Sequence, residues 1–461
     1  MDIYFAAVFT DLVRHSVVWN RVSRDAVTNV ITEYRYLSQT LAGQYGRRHE
    51  NFTGDGHLFL FESADVAVHF GLKLIAFWKQ RRRYLTKDSA DDLPIRVGCH
   101  FGECSRIEDS DAWIGRVLNI AKRVESCASP DSLFVTQTIL DLIDLPAYEF
   151  EEAETCELKG DFLPRRQLYR LISIDHTALA ARPEDRMTAE DWFLTGVGQQ
   201  RVGEGNSTEV ERRCYERALD LRANYPEAHN NLGVLLKSSG DQLGAARQYN
   251  AALRLWPRYP EAHYNFAILL EEGGDLNQAE MHYRDAIKFR PDYVDAWLRL
   301  AGLFERGNDR IEAERHYEAV LQLRPGFAEA HNNYAIFLEA GGDIARAENH
   351  YRAALKASPE SPEAHFNYAM FLESRDRVQA EAHYRAAIRA RANYVEALNN
   401  LAILLQENGD VAGAETYYLA ALRHRPGDRN TLYNLATLAK AAGDNLASDS
   451  YREQASKTEL P

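Results

Sequence analysis

A tyrosine returns through the second half of the chain at Tyr249, Tyr283, Tyr317, Tyr351, Tyr384, Tyr418 and Tyr451, spaced 34 or 33 residues apart. A fixed period of that length marks a supersecondary unit repeated along the chain. Gly240-Asp241, Gly274-Asp275, Gly342-Asp343, Gly409-Asp410 and Gly443-Asp444 keep the same beat between two apolar stretches, with Asn308-Asp309 and Arg375-Asp376 as degenerate copies. Each unit therefore reads helix, turn, helix. In one first helix Ala228, Leu232 and Leu235 share a face by the i, i+4, i+7 rule. Such pairs cannot bury their apolar stripes alone, so they are expected to stack into a curved all-α solenoid whose concave wall presents the first helices.

Period and pattern resemble tetratricopeptide repeats. An earlier pair, with Trp192 in its first helix and Tyr215 one period before Tyr249, opens the array, which makes about eight helical pairs over residues 188–461. Asn231, Asn265, Asn333, Asn367, Asn400 and Asn434 recur on the first helices, interrupted by Arg299. A ladder of amides that donate and accept can grip the backbone of an extended protein or peptide ligand, as in some peptide-binding tetratricopeptide superhelices. Local packing within the repeat is the other reading. His229, His263, His331 and His365 recur once per period, which reads as a repeat position and not as metal-ligand spacing.

Residues 1–173 show no repeat. Strand-like segments at 4–10, 50–53 paired with 57–61, 95–101, 133–135, 148–156 and 167–171 alternate with helical patterns at about 21–43, 64–84, 115–128 and 136–142. This is an α/β domain, joined to the repeats by a linker at 174–187. Lys79, Arg81, Arg82 and Arg83 read as a solvated helix end.

The 461 residues carry a net charge of −14. That balance disfavours broad contact with nucleic acid or anionic membrane and leaves room for a local anion pocket. Five cysteines, Cys99, Cys104, Cys127, Cys156 and Cys214, form no Cys-x-x-Cys pair and point to a reducing compartment. With no basic leader and no long apolar run, the expected location is the cytoplasm.

Four pieces of the α/β domain carry chemistry. Phe9-Thr10-Asp11-Leu12 ends an apolar strand, and Gly54-Asp55-Gly56 forms a tight turn between two strands. Carboxylates fixed at strand ends suit hard cations such as Mg²⁺ that bridge to phosphates. In the helical stretch from Trp113 to Glu125, Asn119 and Arg123 are four apart and share a face, while Val117, Ala121 and Val124 supply the buried stripe. An amide beside a guanidinium suits charge developing on phosphate. Glu157-Leu158-Lys159-Gly160 follows a strand and offers an ammonium.

In this order, and with the strand Arg96-Val97-Gly98-Cys99-His100-Phe101-Gly102-Glu103 between them, the pieces resemble the ferredoxin-like catalytic domain of class III nucleotide cyclases over nearly all of residues 1–173. The resemblance implies Asp11 and Asp55 as metal ligands, with the Leu12 carbonyl as a further one, for two Mg²⁺ or Mn²⁺ ions per site. It implies Asn119 and Arg123 as the transition-state pair and Lys159 as a triphosphate contact. A nucleoside triphosphate would be closed to a 3′,5′-cyclic nucleotide with release of pyrophosphate. The metal residues would come from one subunit and the Asn/Arg pair from the other, so a homodimer is implied.

Where purine-selecting members of the family carry a lysine and an aspartate, this chain has Asn51 and Ala112, with Asp111 one residue away. A repacked base pocket would be lined by Asn51, Phe52, Ala112 and Trp113. Metal machinery kept with the purine reader missing resembles the pyrimidine cyclases of bacterial antiphage signalling (Pycsar), and by that analogy the expected reaction is UTP to cyclic UMP. Two other readings stay open: an adenylate cyclase with divergent base contacts, and a catalytically silent cyclase fold that acts with the repeats as an interaction scaffold.

Overall fold

The computed structural model describes residues 3–13, 24–53, 56–85, 93–106, 113–143, 148–153, 167–174, 184, 187–202 and 207–457. The chain divides into two compact units, Met1–Pro291 and Asp292–Pro461. Most of the 174–187 linker lies outside the described residues.

The first unit opens with an eight-stranded sheet: β1 (Ile3–Leu12), β2 (His49–Thr53), β3 (Gly56–Phe61), β4 (Ile95–Arg106), β5 (Trp113–Ile114), β6 (Ser132–Thr136), β7 (Tyr148–Glu152) and β8 (Leu168–Ile174). Their order is β2-β3-β1-β4-β6-β8-β7, with β5 paired to β4. Only β4 and β6 run parallel; the other described pairings are antiparallel. Strand alternation sends β1 side chains to opposite faces. Ala6, Val8 and Leu12 join the core under helices α1 (Arg24–Gln44) and α2 (Ala64–Leu85). Phe5, Ala7 and Phe9 join a second cluster under α3 (Arg116–Cys127). A short α4 (Gln137–Leu140) follows β6.

Three helix pairs complete this unit: α5 (Ala189–Val202) with α6 (Ser207–Leu221), α7 (Pro226–Ser238) with α8 (Gln242–Leu255), and α9 (Pro260–Glu272) with α10 (Leu276–Phe289). Their Trp256, Tyr259 and Ala262 lie in the same apolar cluster as Leu37, Leu74 and Trp78 of the sheet domain. The second unit holds ten helices among the described residues, from α11 (Val294–Arg306) to α20 (Asn445–Lys457). Among the described residues the two units together hold eight such successive helix pairs.

The Gly-Asp turn has a direct physical cause. Gly240, Gly274, Gly342, Gly409 and Gly443 take φ between 83° and 87°, the left-handed conformation that ends a helix, and Asn308 substitutes at 58°. The aspartate that follows caps the next helix: Asp241 accepts from the Gly244 amide, Asp275 from Gln278 and Asp343 from Arg346. The recurrent tyrosines from Tyr249 to Tyr418 are buried, and Tyr283, Tyr317 and Tyr351 donate to Glu271, Glu305 and Glu339 of the preceding helix. The asparagine ladder is engaged between neighbouring repeats: Asn265 donates to Asn230, Asn367 to Asn332 and Asn434 to Asn399.

The basic end of α2 departs from the solvated face predicted for it. Arg82 is buried and makes a two-pronged ion pair with Asp131 at 2.5 and 2.6 Å, and Arg81 pairs with Glu33. Cys99, Cys104 and Cys214 are buried free thiols, whereas Cys127 is disulfide-bonded, a departure from the unpaired thiols expected. Among the described residues no helix is long and apolar enough to cross a membrane.

Candidate active site

Asp11 sits one residue from the end of β1, with Gly56 opposite on β3 and Arg96 opposite on β4. Alternation puts it on the α3 face with Phe9, where it is 9% exposed. The Leu12 side chain belongs to the opposite core. Asp55 precedes Gly56 in the chain; it lies outside the described residues, as do Ala112, Asp111 and Lys159.

Helix α3 is brought against β4 by a glycine. A Cβ on Gly98 would stand 2.0 Å from the Glu125 nitrogen and 2.7 Å from the Ala121 carbonyl oxygen, both backbone atoms. The close approach lets Arg96 bridge the two elements: its Nη2 lies 3.1 Å from Asp11 Oδ2 and its Nε 3.1 Å from Glu125 Oε1. Lys122 reaches Glu125 Oε2 at 3.0 Å and lies over the Phe9 ring. Burial pushes the Glu125 carboxyl upward, against the pull of Lys122 and Arg96. Gly98→Ala is therefore expected to cost ~1–3 kcal/mol in urea unfolding and to lower any turnover that depends on the placement of α3.

On α3, Val117, Ile120, Ala121 and Val124 are buried. Asn119 is exposed and Arg123 partly so. At about 100° per residue the two project together, away from the buried stripe. Asp11 therefore meets Arg96 and, through it, Glu125 within the chain, while Asn119 and Arg123 stand on the outer side of the same helix.

Two of the four residues expected to line a base pocket share a face. Asn51 is exposed on β2 opposite Leu58, whose side chain is in the α3-side cluster. Trp113 packs on that cluster, edge to face with Phe5 at 5.2 Å and 6.4 Å from His49. Phe52 is a correction. One residue beyond Asn51, it turns to the other face, packs against the core under α1 and carries Arg35 4.9 Å over its ring. It cannot line a pocket with Asn51.

Sequence reasoning passed over Arg96, Lys122 and Glu125, although Lys122 and Glu125 stand at i, i+3 spacing and Arg96 opens the β4 motif. Two histidines of the sheet domain are hydrogen-bonded inside it: His57 Nδ1 lies 3.0 Å from Ser38 Oγ and His100 Nδ1 lies 2.8 Å from Thr136 Oγ1. Burial, then Arg35 and Arg47, lower His57 to about 3, so it stays neutral. The Asp11 carboxylate is a hard oxygen donor of the kind that Mg²⁺ and Mn²⁺ take.

Comparison with known proteins agrees with both halves. The family model of the adenylate and guanylate cyclase catalytic domain matches residues 5–173, and that of the tetratricopeptide repeat matches seven overlapping segments over residues 212–447. The chain is 28% identical over 158 residues to the Rhizobium meliloti (strain 1021) protein named "Putative adenylate cyclase 3", which covers 32% of this chain and 26% of that protein. It thus spans about a quarter of that curated relative's length. Among solved structures, the adenylyl cyclase CyaB from P. aeruginosa aligns at 21% identity and TM-score 0.35, covering 38% of this chain and 96% of that one. Pseudomonas aeruginosa pilF aligns at 23% identity and TM-score 0.39, covering 42% and 89%.

Proposed function

Since this chain belongs to the class III nucleotide cyclases through its N-terminal domain and to the tetratricopeptide-repeat proteins through the rest, we propose that it is a metal-dependent cyclase making a cyclic pyrimidine nucleotide, cyclic UMP from UTP. The observation that carries the cyclase reading is the two-sided use of α3: its inner edge is tied to Asp11 through Arg96, and its outer edge presents Asn119 and Arg123. A second copy facing that outer edge would complete the site, which is why the reading includes a homodimer.

In the proposed reaction the ribose 3′ oxygen attacks the α-phosphorus, the bond to the bridging oxygen of the β-phosphate breaks, and pyrophosphate leaves. Mg²⁺ or Mn²⁺ held by Asp11, Asp55 and the Leu12 carbonyl would neutralise the triphosphate and acidify the 3′ hydroxyl. Arg123 offsets the charge that builds on the α-phosphate oxygens, and Asn119 beside it fixes their orientation. Lys159 holds the triphosphate tail. Arg96, 3.1 Å from Asp11 Oδ2, holds that carboxylate in place before substrate arrives.

The base reading rests on Asn51 and Trp113 sharing the α3 face, with an amide where a purine reader of the family would hold a lysine. The name of the Rhizobium meliloti relative favours the second reading, ATP as substrate. Supplying the four ribonucleoside triphosphates at equal concentration with Mg²⁺ or Mn²⁺ separates them. Cyclic UMP is the expected main product. Cyclic AMP as the main product overturns the base assignment, and absence of any cyclic product leaves a pairing scaffold. The repeats would dock a protein or peptide partner, and in antiphage signalling the product would serve a separate effector.

A further inference from the structure

The repeat histidines, which the sequence pattern alone leaves as packing residues, are brought into pairs by the fold. His263 on α9 meets His282 on α10 with Nδ1 to Nδ1 at 2.8 Å; His331 meets His350 and His365 meets His383, each at 2.9 Å. His263 Nε2 lies 2.9 Å from the Pro257 carbonyl, an acceptor only, so Nε2 carries the proton and Nδ1 presents a lone pair. A histidine oriented through its far nitrogen by a backbone carbonyl is the arrangement that metal-ligating imidazoles use. Pro325 and Pro359 play the same part for His331 and His365.

One pair has something the others lack. Asp285 follows His282 by three residues on α10, one helical turn along the same face. A carboxylate oxygen and one ring nitrogen from each histidine all lie within 4.8 Å of one another, with His263 buried and Asp285 half-buried. The positions corresponding to Asp285 in the other two pairs are Ala353 and Ala386. We infer that His263, His282 and Asp285 form a binding site for a divalent transition metal, Zn²⁺ above all, separate from the oxygen-lined cyclase centre.

Two imidazole nitrogens and one carboxylate oxygen are a three-ligand zinc set, with water completing a tetrahedron. Ligand nitrogens on one tetrahedral ion stand about 3.3 Å apart, so the pair opens by about half an ångström and the Asp285 side chain swings inward. The proton that His282 Nδ1 donates to His263 moves to His282 Nε2, and both rings stay neutral. Mg²⁺ and Mn²⁺ prefer oxygen and compete poorly for such a site.

The test uses the full chain, stripped with chelator and held in excess Mg²⁺. Zn²⁺ alone is titrated by calorimetry, and Co²⁺ by visible absorption, which reports tetrahedral nitrogen and oxygen ligation. One equivalent is expected to bind, with the Co²⁺ spectrum erased by Zn²⁺. Asp285→Ala should weaken binding ~10-fold or more, and His282→Gln should abolish it. Both side chains already occur at the matching place of other repeats, since His229 Nδ1 meets Gln248 Oε1 at 2.6 Å in the α7–α8 pair, so the fold is preserved. His350→Gln, in a pair without the carboxylate, should change nothing. Failure of the unaltered protein to bind, equal binding by the His282→Gln protein, or loss on His350→Gln overturns the site, whatever nucleotide the cyclase domain uses.

Discussion

An Arg123→Ala protein is expected to lose about 10²–10³-fold in turnover, the scale on which a positioned charge donor to a developing oxyanion acts. Arg123 lies on the outer side of α3, away from the stripe of Val117, Ile120, Ala121 and Val124, so its removal leaves the packing of the helix on the sheet intact. Urea unfolding should therefore change far less than turnover does. Asp55→Ala should abolish turnover through the other half of the site. It is a cleaner probe than a change at Asp11, whose carboxylate also holds Arg96. Mixing the two inactive proteins then asks where the halves come from. In a mixed dimer, one site would combine the intact Asp55 of one copy with the intact Arg123 of its partner. Random exchange should restore up to about a quarter of full activity. No restoration, in a mixture whose dimers demonstrably exchange, would mean that each site is built within one chain.

The parts of the molecule governed by local rules are legible in its sequence. The helix–turn–helix period is legible because its causes are local: a glycine in the left-handed region at Gly240 or Gly274, and an aspartate cap three residues before the amide it binds. The β2–β3 hairpin and α3 were legible for the same reason, their alternation and 3.6-residue stripe being visible in sequence. What escaped was which face a strand residue takes and what distant partner a charge finds. Phe52 reads as a neighbour of Asn51 in a pocket, yet period-two alternation sends it under α1. Arg82 reads as a solvated helix end, yet it is buried against Asp131, 49 residues on. The histidine pairs unite residues 19 or 18 apart on neighbouring helices, a spacing that reads as noise until the two helices are antiparallel.

The joint between the sheet domain and the first repeats is the clearest such case, and it carries the second large expectation. Glu190→Ala is expected to destabilise the first unit by ~3–5 kcal/mol, the range for breaking a buried charge cluster by removing one partner. Glu190 opens α5 at 3% exposure, accepts from Tyr225 at 2.6 Å and pairs with Arg222 at 3.3 Å. Lys73 on α2 of the sheet domain pairs with Glu227 at 3.3 Å and lies over the Phe193 ring, so the cluster spans both kinds of structure. Burial alone would raise the Glu190 carboxyl, but Lys73, His69, Arg222 and the Tyr225 hydroxyl overcome it and hold it at about 2. A carboxyl held below its ordinary 4.5 stabilises the fold fully above pH 4.5, and the contribution is lost as pH falls through about 2. That shift is worth about 3 kcal/mol near neutrality. Unfolding measured from pH 7 down to 2 should show the gap between the unaltered protein and Glu190→Gln closing below pH 4.5. A gap independent of pH would mean that the carboxylate's charge contributes nothing. Because Trp256, Tyr259 and Ala262 share one apolar cluster with α1 and α2, a loss at Glu190 should unfold sheet domain and early repeats in a single transition. Two separate transitions would make the first repeats a detachable appendage, and any signal from them would then have to reach the cyclase domain by some route other than this shared core.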